Sequence, residues 1–547
     1  MIALLLAIAA NCATSPADLL ASNERAMGGR PASGTAIADY DYEGQGLEGS
    51  VTTTVDLATG RFLYDSKTPP LSDLHGFDGR TAWFRDLSGG FIPQGRNGRR
   101  AIAVSEAYVN QGAWWKKDRG GAKVELVGCN RLRVTPPGGN MFEAAFDPGT
   151  RLLSSIRETV TFGVSTETRF SDYQRRSGQL VPTRIEIFTE DDPSTRETMR
   201  LASFRVSPAR ASSNYAMPSA RPGNWSIPAP GRVTVPFRLL NNHIVVDVSV
   251  NGKGPFPFVL DSGGHSIITP ATVKALGISS KGESASGGSG EKMVTNGYAH
   301  VERIDVGGAA LTDQTATTLD FSPLSVEGIQ LGGMIGLEFL ERFVVRIDYG
   351  ARTLTIMDPG MFREEQRRRS GTPVPFTFYE HMPQVPGTFD GRPARFNIDT
   401  GSRSDVTMTS PYAERQKLRS AYPGGIEATE GWGVGGPARS YLVRARSMKL
   451  GPVEVPAPIA GLSTAKKGAM GDANYDGNVG SGALKRFIVT FDYAHQTIYL
   501  KPASRIDGDT GHFDRTGMWL NLGSVGLEVM DVAKGSPADI AGLKPKD

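Results

Sequence analysis

The chain has 547 residues, enough for several domains that each bury a core. Its 60 Lys and Arg against 57 Asp and Glu leave a net charge of +3, too slight to call for a polyanionic partner such as nucleic acid. With 66 glycines and 35 prolines, the composition argues against long helices and for β-rich domains joined by many turns.

Residues Ile2 to Ala10 form a short apolar run followed by small residues, as in a secretory leader, although no Lys or Arg precedes it. We expect a signal peptide over 1–19 and a periplasmic or secreted protein. The run is too short to span a bilayer, and no other stretch could be transmembrane. Lipid attachment at Cys12 is the lesser alternative, because Asn11 stands where such sites carry a small residue. With the leader removed Cys129 would be the sole thiol, so no internal disulfide is expected.

Residues 20–207 read as a separate β-rich domain. Val51–Leu57, a turn at Ala58-Thr59-Gly60 and Arg61–Tyr64 predict a hairpin. Phe77–Phe84, Phe142–Asp147 and Arg169–Tyr173 continue the strand pattern. This succession of short strands resembles the curved sheet of lipoprotein-carrier-like periplasmic domains. Trp114-Trp115 is expected in the core, with the lining of an apolar groove as the alternative. The stretch 208–232, with five prolines, predicts a linker.

Beyond it the chain repeats itself. Val235-Pro236-Phe237 opens one unit (233–360) and Val374-Pro375-Phe376 a second (372–503). Phe258–Gly264 and Phe396–Ser402 each run a strand into Asp-Ser/Thr-Gly, 138 residues apart. Helices are expected at Pro270–Leu276 and Pro411–Leu418, each begun by a proline. A Gly-rich tract follows in each unit, Ser286–Gly290 and Gly431–Gly436. The units close on Ile335–Tyr349 and Val479–Tyr493, each with one more strand. Arg367-Arg368-Arg369 lies between them as an exposed connection.

On these residues the chain resembles the retropepsin and pepsin superfamily of aspartic peptidases over roughly 233–503. The resemblance implies a mainly β, bilobal acid-protease-like fold and a water-activating dyad, Asp261 and Asp399. Two carboxylates ~3 Å apart repel by roughly 5 kcal/mol at an effective dielectric near 20, so the pair retains one proton and titrates as a unit. Gly263 and Gly401 allow a tight turn that offers N–H groups to the carboxylates. By resemblance, the Ser262 and Thr400 hydroxyls would bond across the interface of the lobes. Ser402 is placed to bond the outer oxygen of Asp399, whereas Gly264 offers Asp261 no such partner. Gly288, Gly290, Trp432 and Gly433 are flap candidates that could close over an extended peptide. Asn478-Val479-Gly480 departs from its counterpart Met334-Ile335-Gly336, so the loop there is expected to be built differently.

A single Asp-Ser/Thr-Gly string is an ordinary turn, and only its recurrence at equivalent points of a repeat points to catalysis. Asp472–Gly477 begins like a calcium loop but has Ala483 at its twelfth position, where a glutamate is required. The seven histidines form no zinc motif and no serine-hydrolase elbow occurs, so neither metal nor organic cofactor is expected.

Finally, Gly526–Leu543, with Gly-Ser-Pro-Ala and then Ala-Gly-Leu, resembles the first half of a PDZ domain. A partial PDZ segment over 515–547 is expected to be poorly ordered, the chain being a fragment. A complete module would bind a peptide C-terminus.

Together these readings predict a monomeric, exported aspartic endopeptidase acting on polypeptides. The alternatives are an inactive peptide-binding protein of the same fold, and a carrier of apolar ligands through the N-terminal domain.

Overall fold

The computed structural model describes residues 12–29, 33–95, 98–320, 328, 330–504 and 514–547. The chain divides into two units, 1–86 with 91–220, and 87–90 with 221–547. Both are mainly β. The expected leader run Ile2–Ala10 lies outside the described residues.

In the first unit, thirteen described strands make one antiparallel meander. Its first strand, Thr35–Gly44, pairs with both Leu47–Asp56 and the long strand Asp192–Ser207, which joins the two arms of the meander. The predicted hairpin is present: Leu47–Asp56 pairs with Phe62–Thr68, and Asp56 Oδ1 accepts the turn N–H groups of Ala58 and Thr59. Phe77–Phe84 is divided between two strands, because Asp78 Oδ1 gathers the N–H groups of Arg80 and Thr81 into a turn.

The expected boundary at residue 19 is not where this unit begins. Ser15 caps a helix, Pro16–Met27, by accepting the Asp18 N–H, and Gly28 at φ 86° ends it. Leu19 and Leu20 of that helix are fully buried against Trp114, Trp115, Leu132 and Phe142. Both tryptophans are therefore core residues, and Trp115 donates to Asn23 at 3.0 Å. Cys12 and Cys129 form a disulfide, contrary to the expectation of a lone thiol.

The linker is more structured than its prolines suggest. Tyr215 is wholly buried and its carbonyl accepts from Trp83 Nε1. Trp225–Ser226 pairs with Ala309–Thr318, so the division falls inside 208–232, between Ala220 and Arg221.

The second unit is built from two similar halves. Strand Lys253–Leu260 pairs antiparallel with His243–Val250 and parallel with Gly333–Ile335. Strand Arg392–Asp399 repeats this arrangement with Met382–Phe389 and Gly477–Gly480. A six-stranded sheet unites the halves, each giving three strands, with Val344–Asp348 antiparallel to Phe487–Asp492 at its centre. The first expected helix is observed as Pro270–Leu276, capped by Thr269. The second is broken into Ser410–Arg415 and Leu418–Ala421, because Lys417 takes φ 52° between them.

The C-terminal stretch is ordered, against expectation, as the hairpin Met518–Leu522 with Leu527–Val532 and a turn of helix, Pro537–Ile540. Asp531 accepts the N–H and Oγ1–H of Thr429, both at 2.8 Å, and pairs with Arg439.

Candidate active site

Each half delivers its aspartate where a core strand ends. Phe258 and Leu260, like Phe396 and Ile398, are buried side chains of those strands. The two loops meet through a reciprocal lock. Ser262 N–H donates to Thr400 Oγ1 and Thr400 N–H to Ser262 Oγ, both at 3.0 Å. Each hydroxyl then donates across to the other half's backbone: Ser262 to Ile398 O at 2.8 Å, and Thr400 to Leu260 O at 2.9 Å. Both residues have no exposure to water. Buried hydroxyls that donate and accept in this way leave none of the four groups unpaired.

The lock sets the carboxyls of Asp261 and Asp399 side by side, close enough for each to act on the other's protonation. Gly263 N–H donates to Asp261 Oδ1 at 2.6 Å; Gly401 and Ser402 N–H donate to Asp399 Oδ1 at 2.9 and 3.0 Å. The glycines are required sterically as well. A Cβ on Gly263 would lie 2.6 Å from Asp399 Cγ, and one on Gly401 would strike the Asp261 carboxylate. At Gly264 a Cβ would meet only the flexible end of the Met334 side chain.

The carboxylates are inequivalent, though not through the Ser402 hydroxyl. Ser402 acts through its backbone, and the second oxygen of Asp399 accepts from Asn478 Nδ2 at 2.7 Å. Asn478 stands where the first half has Met334, so the departure visible in the sequence supplies a polar partner that only one aspartate possesses. Asp261 is held well above the usual carboxylate range, first by burial and then by the charge of Asp399 and the hydrogen bond to it.

Two residues the sequence did not single out clasp these loops. His381 of the second half places Nε2 2.7 Å from Gly263 O. Asn242 of the first half donates from Nδ2 to Arg403 O at 2.8 Å. They occupy equivalent hairpin turns, and their 139-residue separation equals that of the two Val-Pro-Phe strings. Next to His381, the His265 ring (4.5 Å between centroids) meets the fully buried Glu338 at 2.7 Å. Burial opposes the charge of Glu338, but the charge and hydrogen bond of His265, with the Ser266 N–H, hold its carboxyl down to about 2.

The Gly-rich tracts touch at their tips. Gly290 N–H donates to Val434 O at 2.9 Å and Lys292 N–H to Gly435 O at 3.3 Å. Gly288 O accepts from Ala469, and a Cβ on Gly290 would collide with the Gly435 backbone. Gly433 lies against Ser289, while Trp432 stands lower on its hairpin, opposite Pro437. Val434 packs on Ile267, Leu319 and Met334, beside the first aspartate loop. Among the described residues no group of three or more His, Cys, Asp and Glu is arranged to hold a metal ion.

A family model described as aspartyl protease matches residues 246–339 and 385–474, one match over each aspartate loop. No curated protein matches the chain. Among solved structures, the chain is similar to an aspartic proteinase from Irpex lacteus (13% identity, TM-score 0.36), over 51% of this chain and 100% of that one. It is also similar to a LolA superfamily protein from Nitrosomonas europaea (9% identity, TM-score 0.27), over 37% of this chain and 98% of that one. The family match and the paired loops together define an aspartyl-protease-like β fold.

Proposed function

We propose that this protein is an aspartic endopeptidase whose two halves are the lobes of a single-chain enzyme. The observation that carries the reading is the half-buried pair Asp261 and Asp399, set side by side and locked by the fully buried Ser262 and Thr400. Asp261, its carboxyl raised by burial and by its neighbour, keeps the shared proton; Asp399, which accepts three hydrogen bonds, is the base.

In this mechanism a water between them gives a proton to Asp399 as its oxygen bonds to the peptide carbonyl carbon. The carbonyl oxygen takes the proton of Asp261, forming a neutral gem-diol. The C–N bond then breaks as the amine nitrogen receives the proton held by Asp399, and a diol hydroxyl returns one to Asp261. The touching glycine tips are flaps that part to admit an extended chain and close on it through backbone hydrogen bonds.

We further read the C-terminal hairpin as a PDZ-like segment and the protein as exported. Export is supported by the apolar run Ile2–Ala10 and by the Cys12–Cys129 disulfide, which suits an oxidising compartment. No described helix is long and apolar enough to cross a membrane.

The test is cleavage of a diverse peptide mixture across about pH 4 to 8, followed by mass spectrometry. Wild type should cut, and Asp261→Asn and Asp399→Asn, checked for folding, should each lose about 10^4-fold or more. Cleavage that persists in both variants would overturn the mechanism.

A further inference from the structure

The loop that carries Asp399 runs on through Arg403, Ser404 and Asp405 into the wall of a cavity of about 1140 Å3. That volume exceeds the range of roughly 300–1,000 Å3 usual for small-molecule sites. One wall is the hairpin that bears the second Gly-rich tract, and the facing wall is the C-terminal hairpin. Strand Ile426–Gly433 has a single strand neighbour among the described residues, Gly436–Arg444, and its Ile426, Ala428, Thr429 and Glu430 line the cavity. The C-terminal hairpin is tied to this site through one cross-strand pair, Trp519 and Asp531. Asp531 holds Thr429 and Arg439, and the Arg403 guanidinium lies 4.9 Å over the Trp519 ring. Ile426 and Leu442, a cross-strand pair, present an apolar surface there, with Ile426 48% exposed.

We propose that the C-terminal hairpin completes a distal subsite for the polypeptide whose scissile bond lies at the dyad, and that this subsite takes an apolar side chain. The inference rests on the endopeptidase reading above. Its occupant follows from continuity. Arg403 is four residues beyond Asp399 and so at most about 14 Å from it, a span that at most about four residues of extended peptide would cross. An apolar side chain there would cover Ile426 and Leu442, beside the Arg403 guanidinium that the buried Trp519 ring supports from beneath. The subsite would thus select long substrates over short ones.

Two fluorescently labelled peptides test this. One has roughly six residues, spanning about 20 Å with the scissile bond central; the other has roughly sixteen, with leucines about four to six positions out on both sides. Binding to full-length Asp399→Asn protein is read by anisotropy, so the readout does not need turnover. We expect the long peptide to bind more tightly. Trp519→Ala and Ile426→Lys, each added to Asp399→Asn, should weaken the long peptide at least about tenfold more than the short one. Ile426 is exposed, so its substitution spares the core if Trp519→Ala fails to fold. Equal loss for both peptides, or none in either variant, would overturn the subsite. If wild type cuts neither peptide, the endopeptidase reading fails alone, because the difference between long and short binding still decides the subsite.

Discussion

At the scale of single residues, the dyad is held by groups that cannot be exchanged one at a time. Removing the Thr400 hydroxyl would strand the Ser262 N–H and the Leu260 carbonyl in a water-free place. Thr400→Val should therefore cost about 2–4 kcal/mol, measured as a lower urea midpoint with an unchanged slope. The aspartates also leave a mark on stability. The Asp261 carboxyl is raised in the folded state, so the native protein binds more protons than the unfolded chain above the ordinary aspartate range. Stability should be full below about pH 4 and fall as pH rises through the folded-state value. Asp261→Asn should accordingly raise the melting temperature at neutral pH, and the gain should vanish near pH 4. Both aspartates were legible because a short local string, repeated in register, defines them. The partner of Asn478 was not, since the departure from Met334 is visible in the chain but its direction depends on parallel strand pairing. His381 gave no sign at all, because its link to Gly263 spans 118 residues.

Among elements, the two glycine-rich hairpins behave as one closure, since their tips bond to each other. A side chain at Gly290 would drive Gly435 away and break the Gly290–Val434 bond, worth about 0.5–1.5 kcal/mol. Gly290→Ala should reduce kcat/KM roughly tenfold while lowering stability by no more than about 1.5 kcal/mol, read from the unfolding midpoint. Tip-to-tip contact could not be inferred from composition, which marks a hairpin tip but not what the tip meets. Lys417 shows a related limit. Its left-handed backbone breaks a segment whose opening proline and pattern read as one helix, and nothing local requires that break.

For the whole molecule, the largest revision concerns where the first unit begins. An apolar run followed by small residues suggests a leader ending at 19, yet Leu19 and Leu20 are core residues. The signal that mattered was the pairing of a capped amphipathic helix with two adjacent tryptophans more than ninety residues on, which only tertiary packing reveals. The Cys12–Cys129 bond fastens this end across 117 residues of chain. On loop length alone, Cys129→Ser should lower the stability of the first unit by about 5 kcal/mol, as should reduction, read by calorimetry under oxidising and reducing conditions.

The six-stranded sheet has one more consequence. Its middle seam, Val344–Asp348 against Phe487–Asp492, joins the halves by main-chain bonds, and the aspartate lock joins them again. The covalent bridge between halves, around the exposed helix Glu364–Arg369, contributes no strand to that seam. A protease nick there would sever the chain without separating its parts, leaving a heterodimer of unequal twins with the dyad intact.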